Sequence, residues 1–330
     1  MSPIFVVIVN YRTAQLVVDC LSSLATMSAD LRGGCVIIAD NDSRDNSVDV
    51  IGAAIELYRW SGWVELLVLP RNGGFAYGNN AAILRARHLA PHFGAVILLN
   101  PDTIVRPGAI SSLCNYLDAN PGVGIAGALI ENEAGHPERS AHAQPSPISE
   151  LESAARLGLL TRILSGSASP WVPRSSPHKC DWVSGACMIV RREVLDEIGP
   201  MDDGFFLYFE EVEFCLRARR AGWSCWFVPA ARVLHFEGAA TGIRVGQRRR
   251  PPYWYASRRR FFVKAYGVSG LLLADLLWAL GRLSLVTRRA FGLGGQTGRE
   301  HEPARLALDL LAGDFKALLN GELRRIRRIT

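Results

Sequence analysis

The sequence predicts an α/β protein, with one mostly parallel β-sheet flanked by helices and a basic helical extension at the C-terminal end. Three observations carry this reading. Short apolar runs rich in β-branched residues recur at 4–9 (IFVVIV), 35–39 (CVIIA), 64–69 (VELLVL) and 95–99 (AVILL). Segments with helical spacing lie between them: Leu16, Cys20 and Leu24; Val48, Ile51 and Ile55; Ala76, Ala81, Ile83 and Leu84. Alternation of this kind builds parallel sheets, because each parallel pair needs a crossover helix. The charge is also divided, with 19 Lys and Arg against 25 Asp and Glu in residues 1–243 and 18 against 6 in residues 244–330.

With 330 residues, 49% of them hydrophobic, the chain has ample material for a core, which excludes intrinsic disorder. Seven cysteines in apolar surroundings, with no C-x-x-C spacing, exclude a disulfide framework and a zinc site. The N-terminal MSPIFVVIVNYR has no basic region and too short an apolar run for a signal peptide, so the expected location is cytoplasmic. No G-x-G-x-x-G follows the first strand, which argues against a dinucleotide oxidoreductase.

Beyond residue 130 the pattern changes. Residues 131–180, rich in Pro, Ser and His, read as an insertion or lid with a helix near 149–165. Residues 181–199 resume as a strand and a short helix, 202–223 as an aromatic strand running into an amphipathic helix, and 224–238 as two short strands.

In parallel sheets ligands gather at the carboxyl ends of the strands. Those ends hold Asn10 and Tyr11, the ADNDSRD turn at 39–45, the RNGGFAYGNN segment at 71–80 and the NPD of residues 100–102. Gly73 and Gly74 allow backbone N–H groups to approach a ligand closely. Asp40, N-G-G-F, N-P-D, W-V-S-G-A, F-F-x-Y-F-E-E-x-E-x-x-x-R and a late His235, in this order, resemble glycosyltransferase family 2 over residues 4–240. The nearest subgroup in pattern is the rhamnosyltransferase-like enzymes with a GT-A fold.

That resemblance implies a catalytic domain at 1–243: a nucleotide-binding half (1–130), the lid (131–180) and an acceptor half (181–243). The implied function is inverting transfer of a sugar from a nucleoside diphosphate sugar, dTDP-L-rhamnose being the donor suggested, to a glycan or lipid-linked glycan. The alternative is a non-catalytic nucleotide-sugar or glycan-binding protein with a degenerate site. Sugar transfer leaves a diphosphate behind, and a divalent cation held by carboxylate oxygen would neutralise that charge. The family carries D-x-D where this sequence has Asn100 and Asp102, so Asp102 is the expected metal ligand and His235 the implied second one. An imidazole beside an oxygen ligand suits Mn²⁺ better than Mg²⁺.

An inverting transfer also needs a base for the acceptor hydroxyl. Glu211 aligns with the family's base, Glu210 is the alternative, and Glu213 reads as a helix-stabilising partner of Arg217. By the same resemblance Asn10, Tyr11 and Asp40 address the pyrimidine base. Arg71, Asn72, Gly73 and Asn79 line the sugar and phosphate path, and Asn100 contributes an amide beside Asp102 or orients the ribose. Trp182, Ser184 and Gly185 lie on the acceptor side, although Trp182 as a core residue is an equal reading.

In the extension, arginine clusters and Tyr253, Trp254 and Tyr255 precede an apolar segment at 268–286. Asp275 and Arg282 argue against a membrane span and for an interfacial helix on anionic lipid through 244–290. The rival is a core helix packed within the extension or against a second copy in a homodimer. The acidic body argues against nucleic acid as a partner.

Overall fold

Residues Ile4–Asn10 form β1, buried along its whole length. Ile4, Val6 and Ile8 enter one apolar core while Phe5 and Val7 enter another. A strand covered on both faces must be apolar at every position, which is why it reads as an unbroken run. The computed structural model describes residues 2–156, 174–236, 238, 249–292, 303 and 305–326.

β2 (Val36–Asp40), β3 (Val64–Val68) and β4 (Ala95–Leu99) join β1 in the order β3-β2-β1-β4, all parallel. α1 (Ala14–Leu24), α2 (Ser47–Leu57) and α4 (Ala109–Ala119) cover one face. α3 (Phe75–Leu89), α6 (Arg192–Ile198) and α7 (Glu210–Arg220) cover the other. Leu84, expected on the buried stripe of α3, is 54% exposed, and Ala82, Ile83 and Ala86 carry the contact instead.

Beyond β4 the sheet turns mixed. β11 (Cys187–Arg191) runs antiparallel between β4 and β6 (Val123–Glu131). β12 (Ser224–His235) lies parallel to β6, and β5 (Thr103–Val105) closes the edge antiparallel to β12. β7 (Pro137–Glu138) and β9 (His178–Cys180) extend β6 and β12, and β8 (Ala141–His142) pairs with β10 (Trp182–Val183). These registers bring the ends of β4, β6 and β12 and the start of β11 to one edge of the sheet.

One strand escapes the sequence reading and two expectations need correction. β6 escapes the apolar-run criterion because its interior must be small: a Cβ on Gly127 would lie 2.4 Å from Val183, and one on Gly124 2.6 Å from Val194. Residues 202–209 are turns and bends instead of an aromatic strand. Residues 224–235 are one strand, with a register shift between Val228 and Arg232, instead of two. Pro229 lacks the N–H a continuous ladder needs, so the irregularity falls at that proline.

The chain divides into two units, Met1–Ala143 with Pro173–Gly242, and Gln144–Val172 with Ile243–Thr330. The described residues 144–156 of the segment read as a lid therefore group with the C-terminal extension. Of the helix expected near 149–165, α5 (Pro147–Ala155) is present, started by a Ser146–Ser149 capping box, and residues 157–173 lie outside the described residues.

In the second unit α5 packs on α8 (Pro252–Ala290), which breaks at Gly267, where φ is 77°. Close approach requires Gly281, since a Cβ there would lie 2.7 Å from the Leu151 carbonyl oxygen. Arg258 is fully buried, bonded to Glu150 (2.9 Å), Asp275 (2.8 Å) and Asp314 of α9 (Leu306–Leu319; 3.2 Å). Asp275 thus serves an internal ion cluster, and Arg258 is withdrawn from any surface. Residues 244–248 of the basic run lie outside the described residues. The outward stripe of α8 is apolar: Leu272, Leu273, Leu276, Leu280 and Leu283 are each more than 40% exposed.

Candidate active site

Four groups of side chains gather at the sheet edge defined above. The first begins where β1 and β2 end. Asn10 is fully buried, and its amide donates to Asp40 Oδ2 at 2.7 Å while its Oδ1 accepts from the Thr13 hydroxyl and backbone. The Ser43 hydroxyl also donates to Asp40 Oδ2 at 2.6 Å, and its N–H to Oδ1 at 3.1 Å. Asp40, expected to meet a pyrimidine base, is 1% exposed and organises the loop after β2. Tyr11 stands outward at 39% exposure, with the Arg12 guanidinium 5.1 Å from its ring centre.

The second group joins β2 to the glycine turn. Asn41 is 2% exposed and donates to Asn72 Oδ1 and to the Gly74 carbonyl, both at 3.0 Å. Its own Oδ1 accepts from Gly73 N–H. Gly74 has φ +88°, and a Cβ there would lie 2.1 Å from the Phe206 carbonyl oxygen, which accepts from Phe75 N–H at 2.8 Å. The N-G-G turn is thereby docked on the segment before α7. Arg71 lies exposed over the Tyr77 ring, 4.4 Å from its centre. Asn79, expected along the sugar path, is fully buried and its amide bonds back to Phe75 within α3.

The third group comes from N-P-D and the end of β12. The β5–β12 register pairs Thr103 with His235, which places Asp102 beside the imidazole. His235 Nε2 stands 3.1 Å from Asp102 Oδ1 and 3.3 Å from the Asn100 side-chain amide. Asp102 is 3% exposed, and its carbonyl accepts from Phe236 N–H. One ring nitrogen thus faces a carboxylate and an amide together. With the amide oxygen turned inward, three Lewis-basic atoms converge there, an arrangement a cation satisfies. Among the described residues no group of three or more His, Cys, Asp and Glu side chains is placed to hold a metal. One carboxylate and one imidazole fit a cation that arrives with its own phosphate oxygens.

The fourth group opens α7. Tyr208 and Phe209 have φ of 70° and 68°, two successive non-glycine residues in the left-handed region. Such strain persists only where the surroundings enforce it, and it aims Glu210 and Glu211. Oε2 of each carboxylate is buried with no protein hydrogen-bond partner. Burial pushes Glu211 up to about 7 against the lowering effect of its own and Val212 N–H groups. Burial, then repulsion from Glu211, pushes Glu210 well above the carboxylate range. Glu213 is instead buried in an ion pair with Arg217 at 3.0 Å.

Gly185 faces Glu211, since a Cβ on it would lie 3.7 Å from Glu211 Cβ, and Asn100 N–H donates to the neighbouring Ala186 carbonyl. Ser184 bonds through its N–H to the Ser140 carbonyl. Trp182 stacks on His142 with centroids 4.1 Å apart and donates to the Ala143 carbonyl, so one indole face is covered.

Three residues with a part in this edge escape sequence reasoning. Asn41 and Ser43 belong to the ADNDSRD turn, where the aspartates draw attention. Asn80 exchanges two hydrogen bonds with the Met201 backbone and so ties α3 to the chain before α7. Only a partner 121 residues away gives it meaning.

A parallel half-sheet continued by a mixed half is a fold of GT-A type. The chain belongs to the family described as "Glycosyltransferase like family 2", whose sequence model matches residues 2–255. It is 30% identical over 298 residues to an N-acetylglucosaminyl-diphospho-decaprenol L-rhamnosyltransferase of Mycobacterium tuberculosis, spanning 85% of this chain and 90% of the relative. It is 26% identical over 240 residues to the dTDP-rhamnosyl transferase RfbF of Shigella flexneri, 72% of this chain and 70% of that one. Among solved structures it resembles the mannosyltransferase PcManGT of Pyrobaculum calidifontis, in complex with GDP-Man and Mn²⁺, with TM-score 0.54 and 14% identity. That likeness spans 98% of this chain and 82% of the other, and it shows the fold alone.

Proposed function

We propose that this glycosyltransferase moves L-rhamnose from dTDP-L-rhamnose, with inversion, to a lipid-linked glycan at the cytoplasmic face of the membrane. The observation that carries the transfer chemistry is the convergence of Asn100 and Asp102, from the turn after β4, with His235 at the end of β12. Rhamnose and the lipid-linked acceptor come from the names of the relatives.

Asp102 and His235 would hold a divalent cation, Mn²⁺ before Mg²⁺, with Asn100 beside them. When bound, the cation offsets the charge that gathers on the departing diphosphate. The outward ring of Tyr11 offers a face to the pyrimidine, and Asp40 Oδ1, accepting only from Ser43 N–H among the hydrogen bonds described, keeps lone pairs for its N3–H. Arg71, Asn72 and Gly73 border the sugar and diphosphate, on a turn held rigid by Asn41 and Gly74. Glu211 takes the proton of the acceptor hydroxyl at Oε2, beside Glu210, whose burial and repulsion from Glu211 favour its protonated form. Ser184, Gly185 and the uncovered face of Trp182 flank the acceptor sugar. The exposed apolar stripe of α8 rests on the membrane surface.

A thermal-shift panel of dTDP, UDP and GDP with their sugars, with and without Mn²⁺, tests this reading. A Mn²⁺-dependent shift with dTDP-L-rhamnose that Asp102→Ala abolishes is expected. The same shift in the variant, or a shift with GDP-sugars alone, would overturn it.

A further inference from the structure

The second unit holds a cavity that no part of the proposed transfer chemistry uses. Its volume is about 450 Å³, and its wall carries Arg249, Arg250, Arg259, Arg305 and Lys316 against a single carboxylate, Asp309. A concave wall of one sign focuses potential and concentrates the opposite charge. Part of the charge is internally matched: Arg249 grips Asp309 through bonds of 2.6 and 2.7 Å, and Arg259 pairs with Asp314 and Glu322. Arg305 and Lys316 have no carboxylate within ion-pair distance among the described residues, so these two leave the wall positive. Arg305 and Lys316 are exposed, so folding does not require their burial.

The rim of the same cavity is apolar. Leu308 and Ala312 line it, and they begin a stripe on α9 that continues to Phe315 and Leu319 at helical spacing. Leu308, Phe315 and Leu319 are 53%, 62% and 69% exposed. A soluble anion makes no use of such a rim, whereas a phosphate carried on an apolar chain uses both halves.

We propose that this pocket binds the phosphate of an anionic phospholipid headgroup, with the Leu308–Leu319 stripe of α9 laid among the adjoining acyl chains. Charge complementarity selects the headgroup, and the contiguous stripe selects the lipid over a free ion. The inference rests on the membrane part of the proposed function and is independent of the sugar-transfer part.

The test is co-sedimentation of the full chain with phosphatidylcholine vesicles, with and without about 30% phosphatidylglycerol. The wild type is expected to bind the anionic vesicles, and Arg305→Glu with Lys316→Glu to lower that partition at least about tenfold. The milder Arg305→Gln with Lys316→Gln is expected to produce an intermediate loss. Phe315→Ser with Leu319→Ser is expected to weaken binding with the charges intact. The control pair Arg59→Glu with Lys179→Glu changes net charge equally on exposed positions of the other unit and is expected to leave binding within about twofold.

Equal loss in the control pair, or equal binding to both vesicle types, would overturn the pocket. Pyrophosphate binding that survives Phe315→Ser with Leu319→Ser, without vesicle binding by the wild type, would assign it to a soluble anion and overturn the lipid. Pocket-dependent vesicle binding in a protein that shows no donor shift would sink the transfer reading and leave this one standing.

Discussion

His235 Nε2 stands 3.1 Å from Asp102 Oδ1 across 133 residues of sequence, held by the pairing of Thr103 with His235 between β5 and β12. Three residue pairs of antiparallel ladder fix the separation, so side-chain flexibility contributes little to it. If these atoms share a cation, His235→Ala and Asp102→Ala should each lower kcat by about 10²-fold or more. The Mn²⁺-dependent part of donor binding should vanish in both, with the circular dichroism spectrum retained. A variant with full Mn²⁺ response would remove the residue from the metal site.

The Glu210–Glu211 pair makes a prediction about pH. Glu211 acts deprotonated, and burial holds it near 7, so activity should rise about tenfold per pH unit below that value and level off above it. Glu211→Gln should remove this limb and cost about 10²- to 10⁴-fold in kcat/KM. Glu210→Gln should keep the acid limb, because Glu211 and not Glu210 takes the proton. Loss of the limb with Glu210→Gln and its survival in Glu211→Gln would exchange the two roles.

The same group makes a prediction about stability. Its carboxyl binds a proton in the folded state up to about pH 7 but loses it in the unfolded chain from about pH 4.5. Between those values the folded state holds more protons, so stability falls as pH rises through the window. Glu211→Gln should therefore raise the melting temperature at pH 8 more than at pH 5. Equal melting shifts at both values would mean that the carboxylate is not desolvated.

Gly74 is required by backbone geometry. Gly74→Ala puts a methyl 2.1 Å from the Phe206 carbonyl at φ +88°, and it should cost at least about 2 kcal/mol and weaken donor binding together. Gly52 in α2 has open space around it, and Gly52→Ala should stabilise by about 0.5–1 kcal/mol. Denaturant midpoints of the two variants check the contrast.

Arg258 bonds Glu150, Asp275 and Asp314 in the second unit, and Asp314 also has Arg259. Arg258→Met leaves the buried Asp275 without its cation, at a cost of about 3–5 kcal/mol at pH 8. Burial already pushes Asp275 up to about 6, so protonation at pH 5 should relieve part of the loss. Chemical denaturation at the two pH values measures it.

The strands β1 to β4 and their helices were legible in the sequence because a layer buried on both faces must be apolar at every position. The polar strand endings followed from the same constraint, and with them Asp40, Asn72, Asn100 and Asp102 as candidates. β6 was not legible: Gly124 and Gly127 answer to Val194 and Val183, and a residue kept small by a distant neighbour leaves no periodic trace. Nor was the grouping of 144–156 with the extension, which depends on α5 meeting α8 at Gly281.

Local sequence thus determined the fold class, the sheet's first half and which chemical groups stand at its edge, since these depend on burial pattern and turn chemistry over a few residues. The pairing of β12 with β5 beside Asp102, the strained approach to Glu210 and Glu211, and the burial of Arg258 were decided by tertiary structure. Each depends on contacts between residues far apart in the chain, and only the closed sheet or packed helices bring those together.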